Sequence, residues 1–143
     1  GSEKKRVHLY FSDKNNGYLA AEERLFSMPE DRVGQSKKMV QGLIQGPETT
    51  LRPTIPQKTR LLALYITDKG VAYVDFSKAI RENHPGGTLA ELLTIFSVVN
   101  TLCLNMADIY AVKILIEGHE QKTLSGHIDI QRPFRANLLM LKG

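Results

Sequence analysis

The chain of 143 residues has no tryptophan, a single cysteine, and only 7% aromatic residues. Each shortage excludes something. Without tryptophan, the strongest platform for stacking a sugar ring is missing. One cysteine, Cys103, rules out an intrachain disulfide. It follows Leu102 in an apolar run and reads as a small buried hydrophobe, so a nucleophilic thiol is not expected. No apolar run is expected to reach the length of a membrane span. Arginine-rich helices and basic–aromatic motifs are missing too, so nucleic acid is not an expected partner.

What is there fits one ordinary domain: 42% hydrophobic and 24% charged residues, enough for a core without covalent staples. The formal charge is +4 and the pI about 9.2. Part of the excess is Lys4-Lys5-Arg6, read as a solvated tail of the kind also found beside membrane anchors. Gly1-Ser2 looks like a cleavage scar, so the natural chain is expected to begin earlier. Residues 1–6 are therefore assigned to scar and basic tail, and residues 7–143 to a single domain.

Val7 to Phe11 alternates like a half-buried strand, and Asn16-Gly17 is the favoured pair for a tight turn. Tyr18 to Phe26 is the return strand, although Ala20-Ala21-Glu22-Glu23-Arg24 is mediocre strand material. Met39, Val40, Leu43 and Ile44 form a helical stripe over residues 31–45, which Gly46-Pro47 ends. A long loop with Pro47, Pro53 and Pro56 follows and is a candidate functional loop. The order then restarts. Arg60 to Thr67 and Val71 to Phe76 flank a turn at Asp68-Lys69-Gly70. Thr88-Leu89-Ala90-Glu91 matches a capping box and opens a deeply apolar helix to about Leu104. Tyr110 to Ile116 is a strand, and Ile128 and Ile130 mark another. The pattern predicts a two-layer α+β domain. Two ββα units are followed by C-terminal strands, in a mostly antiparallel or mixed sheet with helices on one face.

Several segments, taken in order, resemble the GerM domain of bacterial sporulation, spore-germination and other envelope proteins. They include Val7-His8-Leu9-Tyr10-Phe11, Leu43-Ile44-Gln45-Gly46-Pro47, Ile55-Pro56 and Val74-Asp75-Phe76-Ser77. Ser97-Val98-Val99-Asn100-Thr101-Leu102, Ile116-Glu117-Gly118, and Thr123 to Ile130 with Arg132-Pro133 complete the set. The resemblance implies an extracytoplasmic module, membrane-anchored or carried on a lipoprotein, with an envelope protein partner or self-association. Peptidoglycan is a further implied partner. It implies no catalytic residues and no cofactor.

The residues themselves offer weak chemistry. Gly118 to Asp129 holds His119, Glu120, Ser125, His127 and Asp129. A metal needs three or four converging ligands, whereas a strand would bring only His127 and Asp129 to one face. Ser125 lacks the Gly-x-Ser-x-Gly elbow, Ser97 lies within the apolar helix, and Gly86-Gly87-Thr88 lacks the spacing and lysine of a phosphate loop. Asn100 and Thr101 are expected to hydrogen-bond locally, Asn100 tying the helix end to the C-terminal segment. Leu138 to Leu141 is expected to pack back on the domain. The expected function is non-enzymatic, with binding through a sheet edge or the proline loop. The alternatives are direct wall-glycan binding or regulation of a wall hydrolase, and a metal-dependent enzyme at His127 and Asp129. The residues to place for partner binding or a polar cleft are Asn100, Thr101, Glu117, Gly118, His127, Asp129, Pro53 and Pro56.

Overall fold

The computed structural model describes residues 3–15 and 17–142, which leaves Gly1-Ser2 and Asn16 of the expected turn outside. In chain order the elements are β1 (Lys4–Ser12), β2 (Leu19–Ser27), α1 (Arg32–Gln45), β3 (Leu61–Ile66) and β4 (Val71–Phe76). Then come α2 (Ala79–Glu82), α3 (Thr88–Asn105), β5 (Ala111–Ile116) and a 3-10 turn at Leu138–Met140. This is the expected α+β arrangement with two ββα units. The strands form two sheets: the antiparallel β1-β2 hairpin, and a mixed sheet in the order β3-β4-β5 with β4 and β5 parallel.

α3 joins the two sheets, packing against β1, α1 and β5. Ile95, Val98, Val99 and Leu102 are fully buried on it. Against the expectation that no run could span a bilayer, α3 is long and apolar enough to do so, with mean hydropathy 1.4. It is a core helix instead: over half of it is buried in the domain, and its polar residues make tertiary hydrogen bonds. α1 starts at Asp31, whose carboxylate accepts from the Gly34 amide, and stops at Gly46, where φ is +95.

Three further expectations change. Lys4-Lys5-Arg6 is not a tail but the exposed start of β1, paired with Ser27, Phe26 and Leu25. Residues 128 and 130 form no strand; the chain around them is loop, with an isolated bridge between Thr123 and Asp129. Leu138 and Leu139 do not pack back, Leu139 being 86% exposed, whereas Met140 and Leu141 do touch the core. Lys113 sits on β5 but is only 2% exposed, because the C-terminal segment covers that side of the strand. Its ammonium donates to the carbonyls of Ile130 and Gln131 and pairs with Glu120 at 3.0 Å.

The turn before β4 shows how tightly the second sheet is seated. Gly70 has φ +82, its carbonyl accepts from the Tyr110 amide at 2.7 Å, and a Cβ here would lie 2.7 Å from the Asp108 carbonyl oxygen. Gly70→Ala is therefore expected to cost about 2 kcal/mol, from the left-handed backbone plus the clash. Urea denaturation measures it; a loss below about 0.5 kcal/mol, a change typical of neutral surface substitutions, contradicts the seating.

Candidate functional site

The segment after β5 has little regular structure, and buried polar side chains fasten it. Glu91 is the main one. It was expected to cap α3 with Thr88, but the helix begins after Gly87 with no side-chain cap. Glu91 instead points inward and is 0% exposed. One carboxylate oxygen accepts from the amides of Ser125, His127 and Ile128 at 3.1, 3.2 and 2.9 Å. The other lies 2.6 Å from His127 Nδ1. Burial raises the pKa of this carboxyl, but the three amides and the imidazole more than reverse it and leave it below its ordinary value. Three tertiary amides thus replace the local cap, a better set of donors than the first helical turn offers.

Arg81 works the other side of the same segment. It donates to the carbonyls of Leu124 and Thr123 and to the Gln121 side chain. Asn100 is fully buried and engages the backbone of Asn137, donating to its C=O at 3.0 Å and accepting from its N–H at 2.9 Å. That is the expected tie between helix end and C-terminal segment. Thr101 Oγ1 accepts from the Tyr10 amide, a partner on β1 where a carbonyl of its own helix was expected.

These contacts place the remaining expected residues. Glu117 (φ +52) and Gly118 (φ +77) are the two central residues of a tight turn closed by reciprocal Ile116–His119 backbone hydrogen bonds. Glu117 also accepts from the Lys78 amide, and Gly118 donates to Asp75. His127 is half exposed on a loop, not a strand. Asp129 is exposed and accepts from the backbone and side chain of Gln131. Among the described residues no three of His, Cys, Asp and Glu are placed to hold a metal. Ser125 Oγ donates to the Arg81 carbonyl, not to a histidine. Burial pushes the Cys103 thiol up to about 11, so it stays protonated near neutrality.

Pro53 and Pro56 belong to a different place. They line an open groove of about 430 Å³ between the proline loop and α3, with Ile55, Pro85, Ala90 and Leu93. Its volume falls in the range of ordinary ligand sites. A polar network underlies it. His84 Nδ1 accepts from the Gly86 amide, so Nε2 carries the proton and donates to Thr94 Oγ1. Thr94 in turn donates to the Thr54 carbonyl, and Thr54 Oγ1 donates to Ser97 Oγ at 2.7 Å. Burial, the largest cause, keeps the His84 pKa below its ordinary value, which suits this neutral tautomer.

A second buried carboxylate, which sequence reasoning missed, holds the start of the same loop. Glu22 accepts from the amides of Glu48 and Thr49 and the Thr49 hydroxyl, and pairs with buried Arg24 at 2.5 Å. Burial raises its pKa, and those donors together lower it below the ordinary value. The available signal was alternation: Ala20, Glu22, Arg24 and Phe26 share one face of β2, opposite exposed Glu23 and Leu25.

The sheet edges are partly closed. On β1 the Asn105 side-chain amide engages the backbone N–H and C=O of His8, and Arg52 pairs with Ser12 in both directions. Phe134 pairs with Val112 on β5. Among the described residues, nothing bridges the outer edge of β3, or of β2 beyond Leu19.

The family profile described as "Germane: Sporulation and spore germination" matches residues 8–122. The chain belongs to the Germane family. The matched region holds the Glu22 clamp, the Glu91 carboxylate and the groove, and ends before Thr123, so the Glu91 donors at Ser125, His127 and Ile128, and Asp129, lie outside it. The Germane chain also matches solved structures. The tandem GerMN domains of the Bacillus subtilis sporulation protein GerM align over 93% of this chain and 46% of theirs, at 25% identity and TM-score 0.76. The first GerMN domain alone aligns over 92% of this chain and 97% of its own, at 25% identity and TM-score 0.71. A Clostridium perfringens protein described as a candidate lipoprotein aligns over 92% and 87%, at 26% identity and TM-score 0.67. No curated protein matches. The family description names a process, sporulation and spore germination, and no reaction.

Proposed function

We propose that this Germane domain is a non-enzymatic, extracytoplasmic interaction module of a bacterial cell-envelope protein. It works in sporulation, germination or peptidoglycan-remodelling assemblies and docks a protein partner at the proline-loop groove. The observation that carries the reading is the groove itself: a concave, mainly apolar surface whose walls are prolines and a core helix, with a hydrogen-bonded floor. Such walls lose little entropy on binding. The candidate lipoprotein and sporulation relatives support an envelope setting. Asn100, His127 and Asp129 take part in fastening the chain outside the groove.

The test is site-specific photocrosslinking in the native host, using the full-length protein. A photoreactive residue at exposed Gln57 on the groove rim is expected to give an adduct with an envelope protein, or with a second copy. The same residue at exposed Lys38 on α1 serves as control. Equal or no protein adducts from the two positions overturn the groove as the docking site.

A further inference from the structure

The charge around the groove narrows what can occupy it. Between Glu48 and Asp68 the chain has Arg52, Lys58 and Arg60 and no acidic residue. All three are exposed, and none of them makes an ion pair among the described residues. Arg52 lines the groove, and Lys58 follows the lining residue Gln57. Arg24, Arg32, Lys113 and Lys142 each face a carboxylate within the domain, and other exposed cations such as Lys37, Lys38 and Lys69 make no ion pair among the described residues but lie off the groove lining. The opposite wall adds no negative charge. Pro85, Ala90 and Leu93 are uncharged, and Glu91, which the sequence places on the same helix turn, is turned inward and covered by the C-terminal segment. Asp13, next to the lining residue Ser12, is held by Lys142 at 2.8 Å.

The β1 end of the groove offers no free backbone pair. The Ser12 N–H and C=O are both taken by Arg52. The lining side chains offer an occupant an apolar surface at Pro53, Ile55, Pro56 and Leu93 and a positive charge at the rim. Lys58 holds φ +70, a left-handed conformation uncommon for a lysine, which fixes where its side chain leaves the loop.

Resting on the interaction-module reading, we infer that the groove takes an acidic protein segment bearing an apolar anchor: a segment with aspartate or glutamate close to a leucine-like side chain. The apolar anchor fills the groove while the carboxylates meet Arg52 and Lys58.

The experiment extends the Gln57 crosslink in the full-length protein. The crosslinked peptide is sequenced by mass spectrometry, and the yield is compared among wild type, Arg52→Glu/Lys58→Glu, and Arg52→Lys/Lys58→Arg. The expected result is an acidic, apolar partner segment whose yield falls about tenfold on charge reversal and is kept in the charge-conserving variant. Both positions are exposed, so an unchanged thermal midpoint is the check on folding. A neutral or basic crosslinked segment, or a yield indifferent to reversal, overturns the acidic partner while leaving the interaction module standing. Adducts with glycan strands and no protein overturn both.

Discussion

Replacing Glu91 with leucine is expected to destabilise the domain by about 3 kcal/mol, because three backbone amides and the His127 imidazole lose their acceptor at once. The loss is capped by how easily the segment around Leu124 to Ile130 can detach and let water reach those amides. Glutamine should be far milder, at about 1 kcal/mol, since its carbonyl can still accept from the amides and its NH2 can donate to His127 in the other tautomer. The comparison separates shape from charge. The carboxylate also predicts a pH signature with a definite sign. Its folded pKa lies below the ordinary 4.5, so its contribution is full above that value and is lost as pH falls through the folded value. The glutamine variant should lack this acid-side loss. Urea denaturation between pH 3 and 7 with amide exchange at Ser125, His127 and Ile128 reads all three effects. A leucine variant as stable as wild type would remove Glu91 from its role as fastener.

Glu22→Leu is expected to cost about 3 kcal/mol as well, for a different reason. It strands the buried Arg24 guanidinium with only the Gly46 carbonyl and the exposed Glu48 carboxylate, and it frees the amides of Glu48 and Thr49. Removing both charges with Glu22→Leu/Arg24→Met should recover part of the loss, because an apolar pair leaves no buried charge behind. The amides still lose their acceptor, so recovery is incomplete and the start of the proline loop should exchange faster. Chemical denaturation of the two single variants and the double variant forms the cycle. Strictly additive losses would show that the two side chains act independently, against the 2.5 Å pair in the structure.

These two carboxylates explain where the sequence was readable and where it was not. Periodicity was enough for both hairpins, α1 and α3, since apolar alternation and helical stripes are local and each element has its own stop signal, such as Gly46-Pro47 or Asp68-Lys69-Gly70. The tie from Asn100 to the C-terminal segment could also be anticipated, because a primary amide in an apolar helix must find partners. The capping box at Thr88 was a sound local pattern that a distant competitor defeated. Three amides more than thirty residues away, delivered together on one loop, outbid the helix's own first turn. Lys113 looks solvent-facing in a strand pattern and becomes buried only because another segment folds over it, whereas Glu22 and Arg24 lie on the core-facing side of β2 and are tolerated there through each other and the loop amides. His127 and Asp129 were read as neighbours on a strand, but no strand forms and each finds a separate partner.

The sequence by itself therefore determined the α+β class, the order of the strands and long helices through β5, the ordered resemblance to GerM domains and the absence of a recognisable catalytic motif. Those rest on short-range patterns of apolar spacing, turn residues and helix stops. Only the tertiary structure decided which polar residues fasten the fold and which surface is left over. A buried charge is tolerable only where donors converge on it, and convergence depends on chain segments distant in sequence. That is why Glu22, Glu91, Asn100 and Lys113 turn inward, and why Arg52 and Lys58 are left facing outward at the groove.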